Sequence, residues 1–255
     1  MRKLFMLLFG AAFLLALAVP ATYLLLERDL PPLQTRPEIL HTLKIYVEGQ
    51  REQVFAGVDA RLVQPFAVLG KGELSPALVS GALAVDGCPD YFALPQETGA
   101  TWAARLIAYG MGQGMGGPGP GRCELDFADR LAGALGLPSD AHRAVAIQQL
   151  HAALDKRDLL DLELSSRYFA PGVLGVEAAS RHLMGKSARA LTLAEAAELL
   201  MAERDYDAIW RCKNPTVLRL QRNNVISQMA AFKLVDRAAA DRAKGARLHC
   251  LSRPG

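Results

Sequence analysis

β-Branched residues are scarce outside a few short segments, and aromatics make up only 7% of the chain. No stretch of closely spaced Lys and Arg carries aromatics between them. The first shortage argues against a protein built on sheets. The last removes the usual footprint of a nucleic-acid-binding face, as does a formal net charge of only +3. There is no internal repeat, which excludes a solenoid. None of the four cysteines, Cys88, Cys123, Cys212 and Cys250, has a Cys-x-x-Cys partner, so no zinc site is expected. The one low-complexity segment, 110–121, holds seven glycines in twelve residues and cannot be a stable helix. It lacks both the preceding strand and the Gly-Lys-Ser/Thr ending of a P-loop, and reads as a flexible connection. What is present is an Ala-, Leu- and Arg-rich sequence, 51% hydrophobic over 255 residues. That composition predicts mainly α structure in one sizeable domain.

Arg2 and Lys3 precede an uncharged run from Leu4 to Leu26, closed by Glu27, Arg28 and Asp29. Twenty-three residues of helix extend about 34 Å, enough to cross a hydrocarbon core of about 30 Å. The positive flank keeps residues 1–3 in the cytoplasm and places the chain beyond 4–26 outside it. The expectation is a single-pass protein of the inner (cytoplasmic) membrane with a periplasmic or extracytoplasmic domain. A cleaved signal peptide is the alternative, since Val19-Pro20-Ala21 resembles a cleavage site, but the apolar run continues through Thr22 to Leu26. In an exported chain, four cysteines allow two disulfides in three pairings. The sequence does not choose among them. The nearest-neighbour pairing is Cys88–Cys123 with Cys212–Cys250, and buried free thiols are the alternative.

Pro31, Pro32 and Pro37 mark 27–40 as an extended linker. A small segment, 41–73, follows, in which Leu43–Val47 and Arg61–Leu69 are expected to form short strands. Ser75-Pro76 opens a helix, Ser as N-cap and Pro in the first turn, which stops near Gly87-Cys88-Pro89. A helical pattern runs from Ala141 to Leu164 and is broken at Ala170-Pro171-Gly172. A short helix covers 176–184, ended by Gly185. Thr192 and Glu195 form a capping box for a helix to about Ala202. Asn214-Pro215 starts a final helix expected to reach about Ala246, ahead of a C-terminal tail, 247–255.

Three late segments carry a resemblance. They are Gly175-Val176-Glu177-Ala178-Ala179-Ser180-Arg181, Gly185-Lys186-Ser187-Ala188 and Leu191-Thr192-Leu193-Ala194-Glu195-Ala196-Ala197. Asp155–Asp161, Tyr168-Phe169, Asn214-Pro215 and Arg222–Met229 extend it. In this order they closely resemble glycosyltransferase family 51, the peptidoglycan glycosyltransferases, over about residues 74–235. The resemblance implies a lysozyme-like, bilobed helical domain, here 74–246, that acts on lipid-linked disaccharide in cell-wall assembly. The retained segments speak mainly to fold: Gly172 and Gly175 suit turns, Thr192 and Glu195 cap a helix, and Glu177 suits a structural ion pair.

The segments that carry the family's chemistry depart from its pattern. In the family a Glu of Glu-Asp-x-x-Phe removes the acceptor hydroxyl proton. Counting forward from Ser75-Pro76 places Asp86-Gly87 there, so Asp86 is the candidate base, one methylene shorter, and a loss of roughly 1 Å of reach can slow a reaction about a hundredfold. The Gly-Gly-Ser-Thr-Ile-Thr-Gln-Gln motif becomes Gly116-Gly117 followed by Pro118 to Arg122, without hydroxyls or amides. Where the family has Arg-Lys-x-x-Glu, ungapped counting gives Ser139 to Arg143. The candidate substrate-binding set is Gly116, Gly117, Arg122, His142, Arg143 and Lys156, the cations facing pyrophosphate.

Acid/base and leaving-group functions act as a unit, so the resemblance implies a catalytically impaired relative or pseudoenzyme that binds lipid-linked glycan or a cell-wall synthesis protein. Within this reading, a Cys88–Cys123 bridge would brace the altered cleft. The alternatives are an active enzyme with Asp86 as base, or lytic cleavage with Asp86 or Glu124 as acid. No cofactor is implied, other than a divalent metal if the protein is active, and no nucleic-acid partner. The chain holds no Ser-x-x-Lys set with its companion motifs, so transpeptidation is not expected.

Overall fold

The computed structural model describes residues 21–49, 63–96 and 122–252. Most of the segment read as an anchor, 4–20, and the glycine-rich loop at 110–121 lie outside them. Residues 21–28 are helical. Among the described residues, no helix is long and apolar enough to cross a membrane.

The structure is mainly helical. In order come α1 (Arg36–Gly49), α2 (Pro76–Val85), α3 (Arg122–Gly133), α4 (Asp140–Ala153), α5 (Lys156–Ser166), a hairpin of β1 (Tyr168–Ala170) and β2 (Val173–Leu174), α6 (Val176–Met184), α7 (Leu193–Ala202), α8 (Tyr206–Trp210), α9 (Pro215–Ala231) and α10 (Arg237–Gly245). Short 3-10 turns lie at Ala188–Ala190 and His249–Ser252. α7 packs on α2 and α9, while α3 packs on α4 and α5. Gly81 allows the first of these approaches. A Cβ there would lie 2.5 Å from both Leu200 Cδ1 of α7 and Met229 Cε of α9.

Helix starts follow local chemistry. The Leu78 N–H donates to Ser75 Oγ, with Pro76 in the first turn, and both halves of the Thr192/Glu195 capping box are made. α6 ends on Gly185 in the left-handed region, at φ 67°.

Several expectations are corrected. Leu43–Val47 is helical, not a strand: Ile39 and Leu43, four residues apart, are the buried face of α1, a spacing the short β-like window concealed. Residues 63–69 have no regular structure, although the Gln64 N–H donates to Gly172 O of the hairpin turn at 2.8 Å. The stretch read as an extended linker becomes helical at Arg36, and its Leu33 is fully buried. The single pattern at 141–164 is two helices, because Asp155 leaves helical geometry to accept the Asp158 N–H. The last helix likewise divides. Lys233 takes φ 58°, and Asp236 restarts the chain by accepting from the Ala239 N–H.

The segment after α10 folds back rather than trailing away. Leu248 is fully buried, and buried Glu198 accepts the His249 and Cys250 N–H groups at 3.0 and 3.3 Å. Fully buried Arg222 donates to the carbonyls of Lys244, Ala246 and Arg247. Both disulfides of the nearest-neighbour pairing are formed, Cys88–Cys123 and Cys212–Cys250.

Candidate active site

Asp86 caps the C-terminal end of α2, its own N–H donating to Ala82 O at 2.9 Å. Gly87, at φ 69°, turns the chain so that the Cys88 N–H reaches Leu83 O. A carboxylate at a helix C-terminus meets the negative end of the helix dipole and needs a cation. Two supply it. Arg167 Nη2 donates to Asp86 Oδ2 at 2.7 Å and Arg130 Nη2 to the same oxygen at 3.3 Å. The Asp86 side chain is 17% exposed.

The two arginines are themselves held. Arg167 follows α5, and its guanidinium chelates Glu163, four residues earlier, through Nε and Nη2 at 2.9 Å each. Its Nη1 reaches Glu203 Oε2, at the end of α7, at 3.0 Å. Arg130, from α3, donates its Nε to Glu163 Oε1 at 2.6 Å and lies over the Phe127 ring. The Glu163 and Arg167 side chains are 1% and 4% exposed. Burial opposes the charge on Arg167, but the carboxylates of Glu163, Asp86 and Glu203 outweigh it and hold Arg167 above the ordinary arginine range. Three carboxylates face two guanidiniums; Glu163 and Arg167 come from α5 and its C-cap, while Asp86, Arg130 and Glu203 come from the end of α2, from α3 and from the end of α7.

The other residues singled out on sequence lie elsewhere. Gly116 and Gly117 are outside the described residues, and Arg122 is the first residue of α3. His142 sits on the exposed first turn of α4, its Nδ1 2.7 Å from Ser139 Oγ. Arg143 pairs with Asp129 at 2.7 Å. Lys156 turns inward, donating to the carbonyls of Tyr91 and Leu94 at 2.6 and 2.8 Å and pairing with Glu124 at 3.2 Å. Glu124 is buried and also faces His151. Above these groups, burial and then the Glu124 charge push the Tyr91 phenol far above its ordinary value. So Asp86 gathers Arg130, Arg167, Glu163 and Glu203, none of them in the expected set, while Arg143 and Lys156 are engaged by other groups. Glu177 is the structural member expected: buried, it accepts from Arg181, Ser187 and the Ala188 N–H.

A signal for the missed residues was present. Glu163 and Arg167 stand four apart in a run whose Leu162 and Leu164 are fully buried, and charges at that spacing within a buried run pair with each other. The donor set does not suit a divalent cation, because guanidinium N–H groups already engage the oxygens of Asp86 and Glu163. Among the described residues, no group of three or more His, Cys, Asp or Glu is placed to hold a metal ion.

Residues 139–230 match the family model described as Transglycosylase, and the chain carries a domain like that of glycosyltransferase family 51. A biosynthetic peptidoglycan transglycosylase of Shewanella denitrificans is 45% identical over 56 residues, 22% of this chain and 24% of that protein. The match thus spans about a quarter of that relative's length. Glu163, Arg167 and Glu203 lie inside the matched region, and Asp86 and Arg130 precede it.

Proposed function

We propose that this chain is a membrane-anchored, peptidoglycan glycosyltransferase-like protein that binds lipid-linked glycan precursor and does not polymerise it. The domain would adopt the family's lysozyme-like, bilobed form, and residues 4–26 would hold it against the bilayer that carries the precursor. The observation that supports inactivity is the double guanidinium grip on Asp86 Oδ2. A general base must offer a free oxygen within hydrogen-bond reach of the acceptor hydroxyl. Drawing Asp86 out of the grip would strip a buried guanidinium of one of its counter-charges, which is strongly unfavourable. Arg130, the more exposed of the two cations, is then better suited to meet an anionic ligand than Asp86 is to take up a proton.

The test is incubation of the full chain with fluorescent lipid-linked disaccharide in detergent and divalent metal. Saturable binding without glycan strands is expected. Strands that appear with the natural chain and vanish on Asp86→Ala would establish the active-enzyme reading instead. Absence of binding would remove the precursor as ligand.

A further inference from the structure

A surface cleft of ≈ 210 Å³ opens beside Val85, the residue before Asp86, between the end of α7 and the outer face of α9. One wall is polar. Gln221, Asn224 and Gln228 line it, and their spacing of three and four residues places them on one face of α9. Arg222 and Met229 point the opposite way, into the interior. The segment 222–229 is therefore half scaffold and half cleft surface. The facing wall is apolar, with Val85, Leu200 and Met201, Val225 adds an apolar side chain on α9, and Arg204 and Asp205 bring charges of opposite sign. Among the described residues, none of the three carboxamides is held by a side-chain hydrogen bond.

We propose that this cleft binds one uncharged, N-acetylated sugar unit of a glycan. Each carboxamide offers two donors and an acceptor, which matches the mixed donor and acceptor character of sugar hydroxyls and an acetamido group. A pyrophosphate would call for converging cations or helix N-terminal amides. This cleft offers one arginine with an aspartate beside it. Its volume lies below the range of about 300–1,000 Å³ that holds drug-sized ligands, a size suited to a single pyranose ring resting on Val85. An extended peptide instead uses a sheet edge or a series of pockets. The proposal rests on the reading of the chain as a glycan binder, but its residues are separate from the Asp86 cluster, so the two can fail independently.

The experiment titrates the full chain in detergent with N,N′,N″-triacetylchitotriose, with inorganic pyrophosphate and trialanine in parallel. Calorimetry gives affinity, and the side-chain amide signals of Gln and Asn give the location. Chitotriose should bind saturably and shift the signals of Gln221, Asn224 and Gln228. Gln221→Ala with Gln228→Ala should weaken it roughly tenfold, as loss of two neutral hydrogen bonds implies, at unchanged thermal stability. The same double variant should retain lipid-linked disaccharide bound at the Asp86 cluster, whereas Arg130→Ala should lose that binding and keep chitotriose. Unmoved carboxamide signals with chitotriose, or equal shifts with pyrophosphate or trialanine, would overturn the sugar assignment while leaving the precursor reading intact.

Discussion

Arg167 Nη2 and Asp86 Oδ2 meet at 2.7 Å across 81 residues of sequence. The contact joins the loop after α5 to the end of α2, and through Glu203 the same guanidinium reaches the end of α7. One buried cation thus ties three helix ends together and sets what Asp86 is free to do.

Removing that cation should be severe. Arg167→Ala leaves Glu163, 1% exposed, with the partly exposed Arg130 as its one remaining counter-charge, and should destabilise the protein by about 3 kcal/mol, the low end of the cost of breaking a buried pair. Replacing both residues by apolar ones of similar size, Glu163→Leu with Arg167→Met, should recover most of that loss, since no buried charge is then stranded. Urea denaturation of the two variants decides it. Equal destabilisation would mean that the pair itself, rather than an orphaned charge, supplies the energy.

The disulfides are testable by titration and by stability. All four cysteines are paired, so the unfolded, unreduced chain should show no reactive thiol and the reduced chain four. Cys88 and Cys123 are 35 residues apart. Removing their bridge with Cys88→Ser and Cys123→Ser should lower stability by roughly 3–4 kcal/mol through the loop entropy restored to the unfolded chain.

Acid should weaken the start of α7. Burial works to raise the Glu195 carboxyl, but hydrogen bonds from Lys186 and Thr192 prevail and hold it below its ordinary value of 4.5. A depressed folded value gives stability that is present above the ordinary value and is lost as pH falls through the folded one. The stability difference between the natural chain and Glu195→Gln should therefore shrink as pH falls from about 5 to about 3. Thermal unfolding across that interval measures it, and a constant difference would show that the carboxylate charge contributes nothing.

Two glycines should respond differently to a methyl group. At Gly175, φ is 85° and a Cβ would fall 2.3 Å from the Ser165 carbonyl oxygen, which is backbone. Gly175→Ala should lose about 2 kcal/mol or more. At Gly81 the close atoms are the flexible ends of Leu200 and Met229, and helix propensity favours Ala by about 1 kcal/mol. Gly81→Ala should fall well short of the Gly175 loss, as paired melting curves would show.

Elements governed by neighbouring residues were readable in advance. Ser75-Pro76, the Thr192/Glu195 box and Gly185 each act within one turn, and each end of helix lies where its signal stands. The breaks at Asp155 and Asp236 are not legible in the sequence, because an Asp inside an apolar-periodic run is equally compatible with a solvent-facing helical position. α1 was misread because five residues of mixed β-branched and apolar character do not distinguish the two periods. For the candidate site, a resemblance in order along the chain led to Asp86, but its partners come from α3, α5 and α7. Such long-range meetings depend on how helices pack, and no local spacing encodes them. The exception is Glu163 with Arg167, whose four-residue interval was visible.

The fold-back of residues 244–250 has a practical consequence. Arg222 and Glu198, on α9 and α7, direct their charged groups at the backbone of residues 244–250, and Cys250 is bonded to Cys212. These few residues act as a clasp for helices far earlier in the sequence. Cleaving the chain ahead of Lys244 would deprive two interior charges of their partners and leave Cys212 unbonded in one stroke, damage comparable to a mutation at the centre of the molecule.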